Sequence, residues 1–105
     1  MIMIKIGVTT CGSKKEAREL IASLLEKRLI ACGQVEGPII SMYTWSGKLR
    51  KDQEYRITVK FREENDFNLR QAIMQTHSYE VPQWVSWDAN GSEEYEKWVI
   101  QSCKK

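Results

Sequence analysis

What most constrains the fold of this chain is the order in which its hydrophobic period changes. Ile2, Ile4, Ile6 and Val8 alternate with Met3, Lys5, Gly7 and Thr9, so the chain opens on a half-buried strand of about eight residues. Thr10-Cys11-Gly12-Ser13 breaks that alternation. Ser13 with Glu16 three residues later forms a capping box, in which each side chain can satisfy a free backbone N–H of the first turn. Ala17, Leu20, Ile21, Leu24 and Leu25 then recur at helical spacing, with Arg18, Glu19, Glu26 and Lys27 on the outer face. The period returns to two at Ile39–Trp45, a run rich in β-branched and aromatic residues, and Gly37-Pro38 predicts a bulge or bend at its start. Ser46-Gly47-Lys48 is a turn. Tyr55, Ile57, Val59 and Phe61 then alternate with Arg56, Thr58, Lys60 and Arg62 to complete a hairpin.

Beyond a polar link at Glu63–Asp66, Leu69, Ala72, Ile73 and Thr76 mark a second helix. Val81–Trp87 reads as a last strand with Pro82 near its start, and Asp88–Gly91 as a loop. Ser92 caps a short helix that places Tyr95, Trp98, Val99 and Ser102 on one face. The order β-α-β-β-α-β with an extra C-terminal helix predicts an α+β, ferredoxin-like split β-α-β sandwich, a single domain over residues 1–105. Both main helices should cover one face of a four-stranded antiparallel sheet. The alternation assigns Met3, Lys5, Gly7 and Thr9 to the other face, together with Arg56, Thr58, Lys60 and Arg62.

Sixteen basic residues against 14 acidic ones give a net charge of +2, too small a surplus to argue for nucleic acid or an anionic membrane. The RNA-recognition domains that share this element order need aromatics on the open face, where the third strand offers Arg56, Thr58, Lys60 and Arg62. No apolar run approaches the ~20 residues of a membrane helix, and residues 1–6 lack the basic and cleavage regions of a signal peptide. Cys11, Cys32 and Cys103 form no paired spacing, so reduced thiols and a cytoplasmic location are expected. Trp45, Trp84 and Trp87 lie on or near strands with few helical residues left to cover them, and self-association through the sheet is expected to bury them.

No phosphate-binding glycine loop, nucleophile elbow or zinc-protease motif occurs, and binding rather than catalysis is expected. His77 is the only histidine; at a helix end it can serve as a ligand or as a cap on carbonyls. Cys11 precedes a helix N-terminus, where the dipole favours thiolate, and reads either as a soft ligand or as an exposed loop thiol. Cys32 reads as a small buried hydrophobe at the start of the second strand, Cys103 as an uninformative terminal residue, and Glu80 as a carboxylate without a partner at fixed spacing.

Four segments in order carry a resemblance. Ala31-Cys32, then Ser41-Met42-Tyr43-Thr44-Trp45-Ser46-Gly47-Lys48, then His77-Ser78-Tyr79-Glu80-Val81-Pro82, and finally Tyr95 with Trp98 resemble the CutA-type divalent-cation tolerance family over nearly the whole chain. The resemblance implies a tight homotrimer, similar in architecture to the PII signalling trimers, that is linked to tolerance of copper and other divalent cations. It implies His77 as a copper ligand; where some members carry a strand-end cysteine this chain has Thr9, and Cys11, two residues later, is read as the substitute ligand. It also implies a pocket between subunits lined by Cys32, Trp45, Lys60, Tyr79, Glu80, Tyr95 and Trp98. The chain departs from the family at Ser78 for proline, Gln83 for glutamate and Thr76 for a second histidine. The implied ligand set is therefore thin, and copper(II) or another divalent cation should bind weakly. A PII-like sensor of a small anionic metabolite is the alternative, with Lys60 and Arg62 on the anion.

Overall fold

In a computed structural model of the chain, described here for residues 4–104, the elements follow the expected order. They are β1 (Ile4–Cys11), α1 (Lys14–Glu26), β2 (Cys32–Trp45), β3 (Lys48–Arg62), a short 3-10 turn (Glu63–Asn65), α2 (Asp66–Thr76), β4 (Val85–Ala89) and α3 (Glu93–Ser102). The four strands form one antiparallel sheet in the order β2-β3-β1-β4.

Local chemistry sets the boundaries. The Ser13 hydroxyl accepts from the Glu16 N–H at 3.0 Å and caps α1, while the Glu16 carboxylate accepts from the Gly12 N–H at 3.4 Å, one residue before the Ser13 N–H that a full capping box would engage. At the hairpin, Ser46 and Gly47 both take positive φ (53° and 75°), as a tight two-residue turn matched to strand twist requires. That turn fixes Trp45 opposite Lys48, Tyr43 opposite Arg50 and Ile39 opposite Glu54, until the expected bulge between Glu36 and Ile39 shifts the register. Ser92 accepts from the Tyr95 N–H and starts α3.

The faces of β1 differ from expectation. Lys5, Gly7 and Thr9 pair with Phe61, Val59 and Ile57, the buried stripe of β3, so they lie under the helices rather than on the open side. Ile4, Ile6 and Val8 pair with Arg62, Lys60 and Thr58. Alternation separates the two faces without saying which is inside, and here side-chain size reverses the hydrophobic guess. A Cβ on Gly7 would sit 2.2 Å from the Trp84 ring, which therefore packs over this position and beside Phe61. Trp84 is thus a core residue, not a surplus tryptophan. Gly33, opposite Val59, leaves the same kind of room for Ile21 of α1. Lys5 is held on this face by Asp88 at 3.0 Å, a bond that raises its pKa. Ile2 and Met3 lie outside the described residues.

One further expectation is corrected. The last strand begins at Val85, not Val81, and runs on through Asp88 and Ala89. Pro82 has no N–H to give a ladder, and Trp84 turns into the core. α3 crosses to the other side of the sheet: its Tyr95 meets Cys32 and Lys60, and Ile4 is buried near Gly91 and Tyr95. On the remainder of that face Val85 and Trp87 are exposed and Ile6, Val8 and Thr58 half-buried, while the hairpin from residue 40 to 53 is exposed except for the half-buried Ser41.

Candidate functional site

A cleft of about 410 Å³ opens where the root of the hairpin meets the segment after α2. Thr10, Tyr43, Trp45, Arg50, Glu54, Tyr79, Glu80, Val81 and Gln83 line it. α2 ends because His77 leaves the helix in an extended conformation, its N–H still bonded to the Ile73 carbonyl at 3.0 Å. The imidazole then turns back toward β1. Nδ1 accepts from the Tyr79 N–H at 3.0 Å, so the proton resides on Nε2, which donates to the Thr10 carbonyl at 2.7 Å. The ring stacks obliquely on Tyr79, with centroids 4.7 Å apart. These contacts aim the Tyr79 hydroxyl at Glu54 Oε2, to which it donates at 2.8 Å. Glu54 is only 7% exposed. Burial first, and then this bond, push the Tyr79 hydroxyl well above its ordinary pKa. Across the cleft, the Tyr43 hydroxyl donates to Asp52.

A second group forms on the opposite side of the sheet from α1 and α2. Cys32 and Lys60 are cross-strand partners, the Cys32 sulfur lies 3.9 Å from the Tyr95 hydroxyl, and the Lys60 ammonium sits 5.7 Å from the Tyr95 ring centre. Tyr95 stacks on Trp98, with centroids 5.6 Å apart. Burial and then the thiol raise the Tyr95 pKa. Six residues of β3 separate Glu54 from Lys60, roughly 20 Å at strand rise. One chain therefore gathers Trp45, Tyr79 and Glu80 at one site, and Cys32, Lys60, Tyr95 and Trp98 at another.

The expected metal pair does not fit as ligands in this arrangement. Both nitrogens of His77 are already bonded to backbone, and the carbonyl it meets is Thr10 of β1 rather than one at the end of its own helix. Cys11 is the last residue of β1, fully buried rather than in an exposed loop; its thiol donates to the Ser13 carbonyl at 3.4 Å, and burial pushes its pKa up, away from thiolate. Cys103, expected to be uninformative, is also buried, and Cys32 is half-buried. Among the described residues no group of three or more histidine, cysteine or acidic side chains is placed to hold a metal.

Sequence reasoning missed Thr10, Arg50 and Glu54. The hairpin turn could have found two of them, because it sets Arg50 opposite Tyr43 and Glu54 opposite Ile39.

Residues 5–102 match the model of the CutA1 divalent ion tolerance protein. The chain belongs to the CutA1 family. It is 34% identical over 101 residues to the divalent-cation tolerance protein CutA of Pyrococcus horikoshii, covering 95% of this chain and 98% of that one. It is 34% identical to the Protein CutA homolog of Xenopus laevis over 97 residues, 91% of this chain but only 64% of that one. The crystal structure of the divalent ion tolerance protein CutA1 from Ehrlichia chaffeensis superposes with a TM-score of 0.95 at 25% identity, over 100% of this chain and 99% of that one. The fold shared with the CutA1 structures is thus an α+β unit of four antiparallel strands and three helices.

Proposed function

We propose that this CutA1 chain acts by binding rather than by catalysis, as a ferredoxin-like subunit of a homotrimer that takes up divalent cations weakly at the hairpin cleft. The exposed apolar surface carries this reading. Ile40, Met42, Tyr43 and Trp45 of the hairpin and Val81, Val85 and Trp87 beside β4 are all open to solvent in the single chain, and apolar surface gathered in this way marks an interface. A stable assembly would cover about 2,000 Å² or more of such surface. In it, the Trp45–Tyr79–Glu80 group of one copy would meet the Cys32–Lys60–Tyr95–Trp98 group of another, which makes the single intersubunit pocket that the family resemblance implies. We place the protein in the cytoplasm, where its three thiols stay reduced.

Glu54 and Glu80 are the acidic groups of the cleft, and their oxygens, with Thr10 and Tyr79, suit a hard divalent cation. Copper(II) would need His77 to release Thr10 first. Calorimetry with copper(II) and magnesium on wild type, His77→Ala, Cys11→Ser and the Glu54→Gln/Glu80→Gln pair tests this. Weak binding lost only in the carboxylate variants supports the cleft, and Cys11→Ser should match wild type. A loss confined to His77→Ala would move the metal to the imidazole and overturn the carboxylate assignment. Light scattering should report three times 12.3 kDa, and a 12.3 kDa species at low micromolar concentration would refute the trimer.

A further inference from the structure

A second cleft, of about 500 Å³, lies where the turn after α1, the end of β3, the start of α2 and the end of α3 meet. Arg28, Arg62 and Lys104 line it, with Leu29, Asn65, Asn68 and the buried Cys103, and among the described residues the lining contains no carboxylate side chain. The chain places its cations here deliberately. Arg28 leaves α1 at φ 57°, a left-handed conformation that few residues other than glycine adopt, and its guanidinium donates to the Lys104 carbonyl at 3.3 Å. Arg62 donates through Nε to Asn65 Oδ1 at 2.9 Å. Asn65 is 7% exposed, and its amide donates to the Arg28 and Leu29 carbonyls at 3.0 and 3.2 Å. The Asn65 side chain is therefore spent on this cluster and leaves the first turn of α2 without a side-chain cap.

Each guanidinium is thus oriented by a neutral oxygen. Among the described residues the ion pairs involve Lys5, Arg56 and Lys97, and none involves Arg28, Arg62 or Lys104. A neutral acceptor fixes a guanidinium without cancelling its charge and leaves its other N–H groups free, the arrangement that suits bidentate capture of an oxyanion. Glu64, outside the lining, adds to the burial that raises the Cys103 pKa, while Arg62 works in the opposite direction.

We infer that this cleft binds a small phosphate-bearing anion, with Arg28 and Arg62 as forks and Lys104 as a point charge. Three cations match a phosphoryl dianion better than a single carboxylate, and the volume admits a small phosphorylated molecule. The site differs from the anion site expected from sequence, which joined Arg62 to Lys60. Lys60 instead donates to Gln34 at 3.1 Å and lies beside Tyr95. The inference does not depend on cation binding at the hairpin.

The test uses pyrophosphate as the probe, titrated into the full chain by calorimetry. Removing charge in the cleft with Arg28→Gln, and with Arg28→Gln/Lys104→Gln, should weaken binding about tenfold per charge removed. Lys48→Gln/Lys51→Gln removes the same charge at the hairpin tip and should leave affinity within about twofold, because distant exposed charges are screened. Equal weakening by the hairpin control would show a net-charge effect and overturn the site. So would wild-type affinity in the cleft double variant, or no binding by wild type at millimolar pyrophosphate. If the double variant unfolds early without pyrophosphate, Arg62→Lys, which keeps the charge and loses the fork, carries the test. It should lose affinity while its oligomeric mass stays that of wild type, and unchanged affinity would again overturn the site.

Discussion

β3 is one strand with two unlike halves. From Glu54 to Arg62 its side chains alternate between buried and half-buried, with Arg56 alone exposed, whereas from Lys48 to Gln53 all are exposed. Backbone pairing with β2 is continuous in both halves apart from the bulge, so hydrogen bonding does not distinguish them. Side-chain cover does. The inner half is stabilised by its own helices, through Ile57, Val59 and Phe61, all but inaccessible to solvent. The outer half carries Leu49 at 73% exposure and pairs with Trp45, which stays 44% exposed although it lines the cleft with Tyr79 and Val81. A two-stranded ribbon of this kind is marginal alone in water. One half belongs to the subunit's folding, and the other is available to whatever the subunit joins.

The sharpest way to break this comparison is to empty the inner half. Phe61 is fully buried against Trp84. Phe61→Ala should cost about 3–5 kcal/mol in denaturant unfolding, from lost transfer energy plus the cavity left behind. A loss below ~1 kcal/mol would mean that the inner half is not held by the core. The outer half should answer to concentration instead. Trp45→Ala should weaken assembly by about 2 kcal/mol or more, in the hot-spot range, and lower the mass seen by light scattering on dilution. An unchanged mass and melting temperature would show that Trp45 packs only within its own cleft.

Much of this division was legible in the sequence, and the misses have physical causes. The Ser13–Glu16 box, the Ser46-Gly47 turn and the alternation of Tyr55–Phe61 are local signals, and each element they announce is present. The inward face of β1 was not legible, because Ile4, Ile6 and Val8 look more like core than Lys5, Gly7 and Thr9 do. Space is what decides it: Trp84 and the helices need small residues beneath them. The site was half legible. Tyr79 and Glu80 stand together in the sequence, whereas Glu54 joins them only through the pairing that the hairpin imposes. His77 stands beside the cleft but is not among its lining residues, and neighbouring backbone groups that no sequence pattern reveals occupy both its nitrogens.

Gly7 supplies a test of that reversal. Gly7→Ala would push a methyl into the Trp84 ring, so it should destabilise by about 1–3 kcal/mol through overpacking. On an open face the same change would be neutral or mildly stabilising, since alanine costs the strand less entropy than glycine. A stabilised Gly7→Ala would return Gly7 to the open face and undo the register argument.

The smallest effect expected lies at the junction of the two halves, where Glu54 begins the covered part of β3. The Tyr79 hydroxyl bonded there is half-buried beside a cleft that water can enter, so Tyr79→Phe should cost only about 1 kcal/mol at neutral pH. Its signature is the pH dependence. Burial and the Glu54 bond raise the Tyr79 pKa in the folded state above the ordinary ~10. The folded chain therefore keeps this proton where the unfolded chain has begun to lose it. The stabilisation is fully present below pH ~10 and is lost as pH rises from there toward the folded-state pKa. Wild type should lose stability more steeply than Tyr79→Phe above pH ~10, and the gap between them should narrow. Parallel stability curves for the two proteins from pH 8 to 11 would mean that Tyr79 titrates alike in both states. The bond to Glu54 would then not be what closes the inner half of the strand.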